Sequence, residues 1–297
     1  MNFYEKIRDI DRRFIFLLMG LAVALPLIFT LRFPEFPTPM VKGIFEIIEN
    51  LPEDSKVLMS FDYDPASEPE LQPMATAWLR HCVERRHKIY ISALWPIGQD
   101  MARQTIQQVK KDLAQKKAET GVEIPFEYGI DYVNLGYKSG GPGVINVMLT
   151  DIEKMFPTDV TNRAISSIPM MKKVKNLRDF DLFVNISAGS PGLKEWIQFG
   201  ADPAGVRIVG GSTAVQAPLL YPYYPKQLSG VLGGLKSAAE YEKLLGDKYP
   251  QYSDIQQSKG RVRMGAQAVA HMVIMLFIIV GNITFFIDRR RSGRSSS

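Results

Sequence analysis

Two uncharged apolar runs bracket this chain, and no other feature constrains its fold as strongly. Residues 14–31 (FIFLLMGLAVALPLIFTL) and 264–287 (MGAQAVAHMVIMLFIIVGNITFFI) contain no Asp, Glu, Lys or Arg. A helix needs about 20 apolar residues to cross a hydrocarbon core roughly 30 Å thick. The second run meets that length easily and the first only just. This predicts one transmembrane helix at each end, 14–31 and 264–287. Residues 1–13 form a leading tail and 32–55 a proline-rich exit with an amphipathic helix. Residues 56–246 form a domain, 247–263 a polar linker, and 288–297 a basic tail.

Charge supports that layout. The formal charge is +5 and the pI about 9.1. Lys6, Arg8, Arg12, Arg13, Arg289, Arg290, Arg291 and Arg294 lie in the tails, with Glu5, Asp9, Asp11 and Asp288 against them, so the tails hold +4 of it. A nucleic-acid domain would carry the basic charge on itself, so nucleic acid is not an expected partner. Basic residues flanking spans mark the cytoplasmic side. Both termini are therefore expected in the cytoplasm, with the central domain extracytoplasmic at the inner membrane. Arg32, Lys42, Lys259, Arg261 and Arg263 on the domain side weaken this bias. A signal peptide also begins with basic residues and an apolar run. Here the run is long for one and no small-x-small cleavage site follows it, so an uncleaved anchor is expected. One cysteine, Cys82, allows no internal disulfide. With only His81, His87 and His271, a cysteine- or histidine-based zinc site is excluded.

Between the runs, strand-like and helix-like patterns alternate. Strands are expected at 57–63, 88–94, within 126–135, and at 144–149, 181–186 and 206–209. Helices are expected at 40–50, 70–87, 100–120 (stopped by Gly121) and 226–245 (stopped by Gly246). This alternation predicts an α/β domain with a mostly parallel, Rossmann-like, doubly wound sheet.

Ligands of such sheets bind at the carboxyl ends of strands, which selects the candidate sites. Asp62 and Asp64 follow the first strand. Two carboxylates two residues apart suit Mg²⁺, and the spacing resembles the Asp-x-Asp of haloacid-dehalogenase-type phosphatases. The alternative is that both cap the turn. The glycine-rich stretch 136–143 offers backbone N–H groups and Lys138 to an anion. Ser190, in the turn after the 181–186 strand, is a conceivable nucleophile, although no histidine is placed to activate it. Residues 210–225 join a small-residue loop (Gly211, Ser212, Thr213, Gln216) to a tyrosine–proline cluster (Tyr221, Tyr223, Tyr224). Tyrosine favours binding surfaces, making this stretch the leading ligand- or partner-binding candidate. Gly230, Gly233 and Gly234 are read as close-packing positions in the last helix. Gln267, His271 and Asn282 are polar groups inside the second apolar run and are expected to contact another helix.

The layout of span, amphipathic stretch, extracytoplasmic α/β domain and terminal span resembles the auxiliary membrane subunits of ABC transporters of the gliding-motility type. The resemblance rests on span placement, on the helix-then-strand of residues 39–63, and on the apolar strand 181–186 with its Gly/Pro turn. It implies no residue roles. The functional expectation is a non-enzymatic interaction or ligand-sensing component of a transport or envelope complex, without a cofactor. The bilayer and a membrane-protein partner or second copy would be its partners. The alternatives are a membrane-tethered metal-dependent hydrolase using Asp62 and Asp64 with Mg²⁺, and a receptor domain using the glycine loops.

Overall fold

The computed structural model describes residues 11–30, 33–254 and 258–294. They divide into two units, residues 35–261 and the flanking segments up to 34 and from 262 onward.

The first unit is built on six parallel strands: β1 (Lys56–Asp62), β2 (Lys88–Ala93), β3 (Tyr132–Tyr137), β4 (Leu182–Ser187), β5 (Arg207–Ser212) and β6 (Val231–Gly233). Their order is β3-β2-β1-β4-β5-β6. The fold is thus α/β with an all-parallel, Rossmann-like sheet. Both faces of such a sheet are covered, which is why its strands read as nearly unbroken apolar runs. On one face Val57, Met59, Phe61, Ile91, Val184 and Ile186 pack against helices. These are α2 (Pro39–Glu49), α3 (Glu68–Glu84), α4 (Gly98–Thr120) and α6 (Gly234–Lys248). On the other, Leu58, Tyr90, Phe183 and Ile208 meet α5 (Pro142–Met148), Trp196 and the short helical turns of residues 152–180. The amphipathic helix α2 serves the domain: Val41, Ile44, Phe45 and Ile48 are buried in its core.

Several local expectations are corrected. Residues 144–149 are helical, not a strand. Pro142 is preset for a first helical turn, and Gly140 and Gly141 supply the positive φ angles of the turn before it. Residues 226–245 are not one helix. Val231–Gly233 adds the edge strand β6, and α6 starts at Gly234, whose φ is +70°. Gly230, Gly233 and Gly234 therefore serve the strand and its turn: a Cβ at Gly230 would lie 2.6 Å from Ile44. Gly246 lies inside α6, which runs to Lys248. Of the expected linker 247–263, residues 247–254 are not free, since Tyr252 is buried, donates its hydroxyl proton to Glu84 at 2.8 Å and lies under the Arg80 guanidinium.

In the second unit the expectation of an apolar helix of spanning length at each end is corrected: among the described residues there is one candidate, at the C-terminal end. Helix α7 (Lys259–Arg294) includes a stretch, Lys259–Ile287, long and apolar enough to cross a membrane. Helix α1 (Arg12–Ile28) has 17 residues, about 25 Å at 1.5 Å per residue.

The chain enters and leaves the domain at one place. Thr38 donates its N–H and its hydroxyl to Glu240, each at 3.0 Å. Glu242 accepts the N–H groups of Gly260 (3.2 Å) and Arg261 (3.0 Å), capping the first turn of α7. Arg261 pairs with Glu35 at 3.2 Å.

Candidate functional site

The carboxyl ends of β1, β2, β4 and β5 carry a polar patch on one face of the sheet. Register aligns Ser92, Ser60 and Asn185 across neighbouring strands, and in the next row Asp62, Ser187 and Ser212. All six are buried. At the centre, Asp62 Oδ1 accepts the Leu94 N–H at 2.6 Å. Its Oδ2 accepts the Ser60 hydroxyl (2.9 Å), the Asn185 amide N–H (2.6 Å) and the Trp196 indole N–H (3.0 Å). Burial pushes the carboxyl up to about 6, and the four donors hold it from rising further.

This geometry answers the Asp62/Asp64 expectation. A cation needs free oxygen lone pairs, and both Asp62 oxygens are taken by N–H and O–H donors. Asp64 accepts the Ser67 N–H at 3.2 Å, the capping role. The two carboxylates do not fit a Mg²⁺ pair. Among the described residues no three His, Cys, Asp or Glu side chains converge as metal ligands.

The β1/β4 boundary is where this strand order reverses, and a dinucleotide would lie in its crevice. Here that crevice is filled. Trp95 spans it and donates its indole N–H to Pro191 O at 2.7 Å. A Cβ at Gly189 would lie 3.2 Å from the Trp95 ring. The turn from β1 to α3 has no glycine, and Glu68 and Glu70 occupy the first turn of α3. Carboxylates there repel phosphate.

The open space is displaced to β4 and β5. A cleft of about 250 Å³ is lined by Ser187, Ser190, Glu195, Ser212, Gln216 and Leu219, among others. The loops after β4 and β5 are tied together across it, because Gln216 Nε2 donates to Ala188 O at 2.7 Å. The Ala214 N–H donates to Glu70 at 2.9 Å, fixing the second loop on α3. Thr213 O accepts the N–H groups of Gln216 and Ala217, closing the turn that carries them.

Of the sequence candidates, Ser190, Ser212 and Gln216 meet in this cleft. Ser190 donates its hydroxyl proton to Glu195 Oε1 at 2.8 Å, while Glu195 Oε2 accepts the Gly192 N–H. That is a turn-closing arrangement, and neither domain histidine approaches it. His81 is enclosed elsewhere by Tyr241 (2.6 Å), Glu49 (2.9 Å) and the stacked Phe45 ring, and His87 Nε2 faces Ile48 O. Burial lowers His81 to about 4. Gly211 points to the opposite face, where its hydrogen abuts Met74 and Trp78, so it is a packing glycine. Lys138 lies over the Phe156 ring at 5.6 Å and outside the cleft lining. Tyr223 accepts a hydrogen bond from Gln198, while Tyr221 and Tyr224 stay exposed. Gln267, His271 and Asn282 are exposed positions of α7.

Trp95, Asn185, Glu195, Trp196 and Leu219 are not evident as site residues from sequence. Only Asn185 leaves a signal, a lone amide inside an apolar strand. A larger groove, about 470 Å³, lies along α3 and α4, but its buried Arg80 and Asp112 pair with each other at 2.8 Å. Comparison with family models, curated proteins and solved structures finds no match.

Proposed function

We propose that this chain is a membrane-anchored, non-enzymatic component of a transport or envelope complex, whose α/β domain binds a partner at the β4/β5 cleft. One observation carries the reading: the rim of that cleft. Val215 is 86% exposed and Leu219 71%, on a turn held down by Glu70 and Gln216. Tyr221 and Tyr224 follow on the same segment. Scattered exposed apolar side chains need no explanation, but a cluster beside a polar-floored cleft marks a contact surface.

Helix α7 is the proposed anchor and α1 a second crossing. The basic tails favour cytoplasmic termini and an extracytoplasmic domain. The common entry and exit point of the domain supports such a hairpin. Against catalysis stand the enclosed Asp62, the Ser190–Glu195 turn and the distance in sequence and fold of the histidines from the cleft.

The test uses tagged full-length protein, extracted from native membranes in mild detergent, with bound proteins identified by mass spectrometry. A stoichiometric partner is expected, lost on Val215→Asp/Leu219→Asp and kept on Val122→Asp, an exposed control. Recovery of no partner, or its retention by the double variant, overturns the reading.

A further inference from the structure

The unit formed by α1 and the greater part of α7 has one shielded seam on each helix. In α1 the less exposed residues are Ile15, Met19, Ala22 and Pro26. In α7 beyond Met272 they are Val273, Phe277, Val280, Thr284 and Ile287. Spacings of four and three residues are those of a left-handed helix pair. No other described helix or strand belongs to this unit.

Gln267, His271 and Asn282 lie elsewhere on α7. At roughly 100° per residue they fall, together with Ile274 and Ile278, within an arc of about 80°, and that arc is roughly opposite the seam. All five are exposed. Helix α1 therefore does not cover the polar stripe. In hydrocarbon, amide and imidazole groups without hydrogen-bond partners are costly.

We infer that the Gln267–His271–Asn282 stripe of α7 is the contact face for a second copy of this chain, packed parallel about a two-fold axis in the bilayer. The inference rests on the reading of α7 as a membrane span. The occupant follows from the chemistry of the stripe. A Gln or Asn amide both donates and accepts, and so does an uncharged imidazole. A parallel two-fold pair sets each group against its own copy at the same depth, as an isologous interface requires. A different partner would have to match three polar groups spread over about 22 Å of helix. Gly281, beside Asn282, has open space where a Cβ would stand, which permits close approach of a second helix.

The test is oxidative crosslinking of full-length protein in native membranes. Single cysteines are placed on the stripe (Ile274→Cys, Ile278→Cys) and on the shielded seam (Phe277→Cys). One series carries Cys82→Ala and a parallel one keeps the buried Cys82. The two stripe variants are expected to give a species of twice the 33.5 kDa chain mass. It should contain both of two differently tagged copies, and Phe277→Cys should not form it. Adding Gln267→Leu and Asn282→Leu to Ile278→Cys should weaken association about threefold for each amide removed. Four results overturn the inference. No stripe crosslink in alkali-washed membranes that retain the protein refutes the contact and leaves the span intact. Equal crosslinking at all three positions indicates random collision. An adduct with a different protein refutes the second copy. Release of the chain by the alkali wash refutes the span itself.

Discussion

At the scale of single residues, Asp62 shows what a buried carboxylate requires. An unpaired charge inside a sheet costs several kcal/mol, so every lone pair it offers must be met. Four donors from four separate segments do this. Asp62→Asn replaces an oxygen with an N–H₂ group that confronts those donors. We expect it to destabilise the domain by about 2–4 kcal/mol, read as a lower urea midpoint. Mg²⁺ should leave the parent midpoint unchanged. His81 makes the complementary case. Burial lowers its value in the folded state to about 4, below the roughly 6.5 of an unperturbed histidine. A depressed value means the unfolded chain binds the proton first as pH falls. The stability His81 contributes is therefore full above pH 6.5 and is lost down to about pH 4. The loss amounts to about 3 kcal/mol. Urea unfolding of the parent and of His81→Asn across that range should show the parent's advantage shrink as pH falls. An advantage that grows instead would refute the assignment.

At the scale of elements, small residues decide where helices begin. Gly234 turns β6 into α6 at a φ of +70°, and a Cβ there would stand 2.7 Å from the Ala214 Cβ. Gly234→Ala combines left-handed strain with that clash, and should cost about 1–3 kcal/mol. Thermal unfolding measures it, with Gly43→Ala, at an open helical position, as the control. The same region shows where sequence periodicity stops being informative. The strands β1, β2 and β4 are legible because a two-sided parallel sheet demands apolar runs. The helix α4 is legible because its apolar stripe ends at Gly121, whose φ is +71°. Residues 144–149 are apolar throughout, and a run that short fits a buried helix or strand equally; Pro142 decides it. Strand β6 has three residues between glycines, too few to show any period. The site was legible in part. Glycine–serine turns after β4 and β5 point to Ser190, Ser212 and Gln216. The Asp62 cluster was not, because Asn185 and Trp196 stand 123 and 134 residues away and no local pattern joins them.

At the scale of the whole molecule, the question is how firmly the chain's entry into the domain and its exit are fixed. Two flexible linkers would let the domain tumble. Here the incoming and outgoing segments are 226 residues apart in sequence and are fixed to each other and to α6. Glu240 holds Thr38, Glu242 holds the first turn of α7, and Glu35 pairs with Arg261 with little of either side chain exposed. A surface pair would contribute almost nothing, but a sheltered one leaves an uncompensated charge when one partner is reversed. Glu35→Arg alone and Arg261→Glu alone should each lower the thermal midpoint of the detergent-solubilised full-length protein. Reversing both should recover most of the loss, with a coupling of about 1–2 kcal/mol. Limited proteolysis supplies an independent readout: each single reversal should speed cleavage at Arg263 relative to sites such as Lys117 on α4, and the double reversal should restore the parent rate. Additive losses in the double variant would mean that the two segments are held separately.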